Sequence, residues 1–177
     1  MGTTSPASFE SPKLKFYKEI CQQLDALLGD EQDFVANAAN AAALLFELLS
    51  DVNWVGFYLA HGETLVLGPF QGKPATSRIA LGKGVCGTAA QRQETVIVPN
   101  VHEFAGHIAC DTATASEIAV PLLNWGRLVG VLDIDSPSLN RFDDDDYEGL
   151  ERVASLFLAK QRTDDLPSFS EEELFQS

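Results

Sequence analysis

The order of hydrophobic spacings along the chain constrains its fold more than any other feature. Residues 13–28 carry apolar side chains at helical spacing and stop at Gly29, and Asp30 can cap a second helix that runs to about Ser50. The pattern then changes to short aromatic and β-branched runs, which predict strands at 53–59, 64–67, 77–81, 95–98, 117–122 and 128–135. A turn and a short helix at 82–90 interrupt them, and a last helix is predicted over 145–161. This order predicts an α+β or α/β sandwich, with helices packed against one sheet.

The length and the two ends of the chain suggest one domain between two tails. A chain of 177 residues is long enough to bury a sizeable core. We assign the domain to residues 13–162, after a flexible tail at 1–12 and before an acidic tail at 163–177. No apolar run approaches the roughly 20 residues of a membrane helix, and the first residues do not resemble a secretory signal. We therefore expect a cytoplasmic protein.

Charge and cysteine content narrow the classes of partner. The chain has 12 Lys and Arg against 26 Asp and Glu, which gives a formal net charge of −14. This charge disfavours binding to nucleic acids and anionic membranes, and it favours a cationic group on a small ligand if the acids are grouped inside a pocket. Three cysteines without a secretory signal argue against a disulfide scaffold. Cysteines and histidines also lack the paired spacings of a structural zinc site, so we expect no metal and no bound cofactor.

Two acids lie on one face of an otherwise apolar strand. By alternation, Asp133 and Asp135 share their face with Val129 and Val131, opposite Leu128, Gly130, Leu132 and Ile134. Buried charge is costly, so either the strand ends in water or the acids form a pocket for a cationic group such as an ammonium.

Other side chains could complete such a pocket. Glu117 shares a face with Ala119 and Pro121 in the preceding strand. Trp54, Gly56 and Tyr58 share a face in the first strand, where the aromatic rings either belong to the core or wall a pocket.

The three cysteines have different settings. Cys110 lies in a long connection among polar groups, where it is either a reactive thiol or an inert, half-buried one. Cys86 follows glycines at a helix start, where the helix dipole would lower its pKa. The GKGVCG run around it lacks the spacing of a phosphate-binding loop. Cys21 lies on an apolar helical stripe and is interpreted as structural.

A run of four acids, at 143–146, precedes the last helix. It lacks the Gly and the terminal Glu of a calcium loop, so we interpret it as a solvated helix cap.

Six segments of the sequence together resemble one known protein family. They read NWVGFY (53–58), LGPFQGKPA (67–75), GKGVCGTAA (82–90), GHIACD (106–111), SEIAVPL (116–122) and GVLDIDS (130–136). In this order they resemble the free methionine-(R)-sulfoxide reductase family, and weaker similarity covers residues 15–162. The resemblance implies a single GAF-like domain, with a central, mostly antiparallel sheet flanked by helices. It also implies reduction of free methionine sulfoxide.

The resemblance also implies roles for individual residues. Cys110 matches the nucleophilic cysteine, and Cys86 matches a second cysteine that can resolve its sulfenic acid as a disulfide. Glu117, Asp133 and Asp135 match pocket acids, one of which would donate a proton, and Trp54 and Tyr58 match an aromatic wall. A thioredoxin-like dithiol would regenerate the thiols, and a homodimer is common in the family.

One departure and two alternatives stay open. Family members commonly carry a third, resolving cysteine where this chain has Thr76, so Cys86 or an external thiol must take that role. The alternatives to the enzyme are a non-catalytic GAF module that binds a small molecule and a redox sensor that switches through Cys86 and Cys110.

Overall fold

The computed structural model describes residues 10–106 and 113–162. Its helices are α1 (Pro12–Leu28), α2 (Phe34–Leu48), α3 (Gly84–Arg92) and α4 (Asp144–Ala159). Its strands are β1 (Trp54–His61), β2 (Thr64–Gly72), β3 (Arg78–Ala80), β4 (Val96–Val98), β5 (Ser116–Asn124) and β6 (Arg127–Ser136), and a 3-10 turn spans Val101–Glu103. In these two ranges, no helix is long and apolar enough to cross a membrane.

The strands form one antiparallel sheet in the order β3-β2-β1-β6-β5-β4. Its two central strands, β1 and β6, carry Trp54, Asp133 and Asp135, so the sheet fixes these residues at its middle. An α/β fold with a mainly antiparallel sheet flanked by helices is thereby confirmed.

Each face of the sheet has its own core. One face packs alternate side chains such as Phe57, Ile118 and Leu132 against α1, α2 and α4. The other face packs Trp54, Tyr58, Ala119 and Val131 with apolar residues of α3. The strand alternation predicted for β1 and β5 is therefore confirmed, and the polar side chains of interest lie on the α3 face.

One prediction of alternation is wrong, at the start of β6. Leu122 pairs with Gly130 and Leu123 pairs with Leu128, which leaves Val129 without an opposing residue. This β-bulge reverses the alternation, so Val129 packs with the helices on one face and Leu128 packs on the α3 face. Asp133 and Asp135 lie beyond the bulge and keep their predicted face.

The start of α2 corrects a further prediction. The α2 helix begins at Phe34 and is capped by Asp33, not Asp30, because the Asp33 side chain accepts a hydrogen bond from the Ala36 amide at 2.8 Å. Glu31 instead accepts hydrogen bonds from the two amides that follow it, which makes a turn before the helix.

The acidic run before α4 is a helix cap, but it is not wholly solvated. Asp143 and Asp146 form a reciprocal capping box. Asp146 is fully buried, accepts a hydrogen bond from the Tyr17 hydroxyl at 2.7 Å and pairs with Arg141 at 3.1 Å. The Asp146 carboxylate therefore links α4 to α1 through Tyr17. Its hydrogen bonds and ion pair explain why a buried charge is tolerated at this position.

Candidate active site

Strand register brings the predicted pocket acids together. Glu117 of β5 lies opposite Asp135 of β6, and Asp135 lies opposite Trp54 of β1. One row further along, Asp133 lies between Ala119 and Gly56. Glu117, Asp133 and Asp135 are each 6% exposed, so the interpretation that this strand ends in water is wrong. The acids form a buried group at the centre of the α3 face.

The start of α3 places a thiol against these acids. Cys86 lies in the first turn, is 3% exposed, and has its Sγ 3.8 Å from Glu117 Oε1, to which it donates. The same helix lies close to β3 because Gly87 has no side chain: a Cβ there would come within 2.4 Å of the Ala80 carbonyl oxygen. We call Cys86, Glu117, Asp133 and Asp135 the acid–thiol cluster.

Crowding in the cluster favours protonated carboxyl groups. Burial, followed by the charge of Asp135, raises the pKa of Glu117 well above its ordinary value. Burial, followed by the charge of Glu117, raises the pKa of Asp133 in the same way. Two buried acids in contact cannot both ionise without a large cost, so the pair retains a proton at pH values well above the ordinary pKa of a carboxyl group. A retained proton is what a general acid requires.

The pKa of Cys86 differs from the sequence-based expectation. Burial, with the charges of Asp133 and Glu117 next, raises the pKa of this thiol well above its ordinary value. The prediction that the helix start lowers it is wrong, because a partial helix charge is small beside complete burial and two adjacent acids. Cys86 is therefore a thiol at rest, and it needs a base to become a nucleophile.

Three stacked rings border the cluster on β1 and β2. The ring centroids of Trp54 and Phe70 lie 5.3 Å apart, and those of Trp54 and Tyr58 lie 6.0 Å apart. We call Trp54, Tyr58 and Phe70 the aromatic wall. Trp54 can lie flat because residue 56 is glycine, where a Cβ would meet the indole at 2.5 Å.

Backbone carbonyls hold two rings of this wall. Trp54 Nε1 donates to the Lys73 carbonyl and the Tyr58 hydroxyl donates to the Thr76 carbonyl, each at 3.0 Å. Residue 76, where the family commonly has a cysteine, thus lies beside the wall through its backbone.

Sequence reasoning missed Phe70 and Thr114. Phe70 was not predicted because β2 was expected to end at Leu67, whereas this strand continues to Gly72. Thr114 is buried, and its hydroxyl donates to Asp135 Oδ2 at 3.4 Å. Nothing in the sequence distinguishes Thr114 from other threonines of that connection.

The remaining predicted residues lie elsewhere. Cys110, the expected nucleophile, falls in 107–112, outside the described residues. Cys21 is half-buried and packs at the margin of the helical core on the opposite face, as its stripe position predicted. Among the described residues, the side chains of Cys86, Glu117 and Asp133 are close enough together to bind a metal ion.

Comparison with known proteins identifies the family. The model of the GAF domain matches residues 19–158. The free methionine-R-sulfoxide reductase of Escherichia coli is 47% identical over 157 residues, which cover 89% of this chain and 95% of that protein. The enzyme of the same name from Saccharomyces cerevisiae is 46% identical over 151 residues, covering 78% of this chain and 84% of the yeast protein.

A solved structure extends the match to the fold. The X-ray structure of free methionine-R-sulfoxide reductase from Neisseria meningitidis in complex with its substrate is 42% identical, with a TM-score of 0.81. The alignment covers 88% of this chain and 94% of that one. The chain described here therefore belongs to the free methionine-R-sulfoxide reductase family, whose fold is a single GAF domain.

Proposed function

We propose that this protein reduces free L-methionine-(R)-sulfoxide to methionine, with Cys110 as the nucleophile. The observation that carries the proposal is the acid–thiol cluster, which is buried beside the aromatic wall in a chain of this family. Such a site offers acids for an ammonium, rings for a methyl sulfur group, a retained proton and a thiol.

Substrate binding follows from charge and shape. Free methionine sulfoxide carries an ammonium at one end and a small, partly apolar sulfoxide at the other. Carboxylates of the cluster bind the ammonium, and the aromatic wall contacts the methyl end. Recognition of the free amino group would exclude methionine sulfoxide within a peptide, because a peptide nitrogen carries no positive charge.

The first step transfers oxygen from the substrate to sulfur of the enzyme. The Cys110 thiolate attacks the sulfoxide sulfur while Glu117 or Asp133 protonates the sulfoxide oxygen. The oxygen ends on Cys110 as a sulfenic acid, and methionine leaves with its sulfur reduced. The raised pKa values of Glu117 and Asp133 support this role, since the pair holds a proton at pH values where exposed carboxyl groups are ionised.

The second step oxidises Cys86. Its thiol gives a proton to Glu117, which is ionised after the first step and whose Oε1 lies 3.8 Å from the Cys86 Sγ. The sulfur then attacks the Cys110 sulfenic acid and a disulfide forms. The sulfenic hydroxyl takes that proton from Glu117 and leaves as water. A thioredoxin-like dithiol restores both thiols and is itself oxidised to a disulfide. Because Thr76 cannot form a disulfide, Cys86 takes the resolving role. This cycle fits a reducing compartment such as the cytoplasm.

The proposal is tested by turnover with separate epimers. We would incubate the reduced protein with free (R)- or (S)-methionine sulfoxide, or with methionine sulfoxide inside a peptide, and quantify methionine in the presence of dithiothreitol. We expect release from the free R epimer alone. Cys110→Ser should abolish release, while the matched variant Cys21→Ser should retain it, because Cys21 packs on the opposite face.

Two results would refute this assignment. Absence of methionine release from fully reduced wild type would favour a non-catalytic binding module or a redox sensor. Full turnover by Cys110→Ser would remove Cys110 from the role of nucleophile.

A further inference from the structure

Cys86, Glu117 and Asp133 form a group whose chemistry extends beyond the proposed reaction. One ligand atom from each side chain lies within 4.8 Å of the others. The residues come from α3, β5 and β6, and each is at least nine-tenths buried. Asp133 Oδ1 is buried without a hydrogen-bond partner among the described residues. We propose that the reduced protein binds one thiophilic divalent metal ion, of the zinc class, through these three side chains.

The spacing of the three ligand atoms can be compared with that of a tetrahedral zinc site. Bond lengths of about 2.3 Å to sulfur and about 2.1 Å to oxygen place tetrahedral ligands about 3.4–3.6 Å apart. The Cys86 Sγ is 3.8 Å from Glu117 Oε1, and the widest separation in the group is below 4.8 Å. Movements on the order of 1 Å, within reach of side-chain rotation, would close the site.

The ligand set selects the class of ion. Magnesium and calcium ions prefer sites made of oxygen alone, whereas thiolate sulfur favours zinc and similar softer ions. The Asp133 Oδ1 atom supplies a second reason to place a cation here, because an ionised Asp133 would leave this buried oxygen without a donor, and a metal ion that binds the carboxylate compensates its charge. Three protein ligands leave a fourth position for water.

Metal binding would compete with the proposed reaction. On binding, Cys86 and the Glu117–Asp133 pair release their protons to solvent, and the Cys86 thiolate binds the ion, so the same sulfur cannot attack a sulfenic acid. Glu117 and Asp133 are likewise withdrawn from proton transfer. The ion is therefore an inhibitor that occupies only the reduced enzyme, and binding can be measured without turnover.

The inference is tested with Co²⁺ as a spectroscopic substitute for zinc. We would titrate CoCl₂ into the reduced, full-length protein without oxygen and record absorption. We expect one equivalent to produce visible ligand-field bands and a near-ultraviolet sulfur-to-cobalt charge-transfer band, both removed by Zn²⁺. Cys86→Ser should remove the charge-transfer band. Asp133→Asn should weaken binding at least about tenfold, since even the loss of an outer-shell partner costs about 10–100-fold.

Control variants separate this site from other thiols. Cys21→Ser, which changes a half-buried thiol on the opposite face, should bind Co²⁺ as wild type does. Each variant would be compared with wild type by circular dichroism. A charge-transfer band that is absent in wild type, or that survives Cys86→Ser and disappears in Cys110→Ser, would overturn the inference. A protein that binds Co²⁺ through Cys86 but releases no methionine would support it while refuting the proposed function.

Discussion

Replacing Asp133 by asparagine tests the electrostatic account of the cluster through stability. Burial and the charge of Glu117 raise the pKa of Asp133 well above its ordinary value of 3.8. Above that value the unfolded chain loses this proton while the folded chain keeps it. The folded state is therefore favoured at low pH, and wild type loses about 1.4 kcal/mol per pH unit until the folded carboxyl also ionises. Asparagine has nearly the same shape and does not titrate.

The expected result is a difference that grows with pH. Near pH 4, Asp133→Asn and wild type should have similar free energies of unfolding. Above about pH 4.5 the variant should gain about 1.4 kcal/mol per pH unit relative to wild type for as long as the folded Asp133 keeps its proton, against the roughly 5–15 kcal/mol typical of a domain. Urea unfolding at several pH values would measure it, with Asp30→Asn at an exposed position as the matched control. A variant that is destabilised equally at every pH would refute the reasoning.

Three further predictions concern thiol reactivity, the aromatic wall and the helical face. At pH 7, Cys86 should react with iodoacetamide more slowly than the half-buried Cys21, because burial and adjacent acids keep the Cys86 thiol protonated. Peptide mass spectrometry measures both rates, and a faster reaction of Cys86 would contradict this prediction. Gly56→Ala places a Cβ 2.4 Å from Phe70, so it should raise KM and lower the free energy of unfolding by about 1–3 kcal/mol. The control variant Gly126→Ala lies at a hairpin with φ +79°, so it should lower stability but leave KM unchanged. Tyr17→Phe removes a buried hydrogen bond and should cost about 1–3 kcal/mol in urea unfolding with wild-type kcat; a loss of kcat would connect that face to catalysis.

The sequence predicts the elements of this fold well because periodicity is a local property. Helical spacing located α1, and alternation located β1 and the half of β6 that carries Asp133 and Asp135. Errors arose where a long-range contact decides the outcome. The bulge at Val129 depends on how β6 pairs with β5, and the choice of Asp33 over Asp30 as a cap depends on a turn made by Glu31.

The sequence predicted several residues that the structure brings together, but not Phe70, Thr114 or the electrostatics of the cluster. Alternation placed Asp133 and Asp135 on one face of β6, and the family resemblance added Glu117 and Cys86. Complete burial of that thiol against Glu117 is a tertiary fact, and it reverses the pKa shift predicted from the helix start. No spacing in the sequence indicates that Cys86, Glu117 and Asp133 lie close together, because each belongs to a different helix or strand.

A single-turnover experiment tests the central claim most directly. Reduced protein, free of other thiols, would be mixed with one equivalent of free (R)-methionine sulfoxide, and both methionine and the state of each cysteine would be determined by mass spectrometry. The account predicts one methionine per chain, a disulfide between Cys86 and Cys110, and an unmodified Cys21. Methionine release without oxidation of Cys110, or oxidation of Cys110 that leaves Cys86 free, would contradict it.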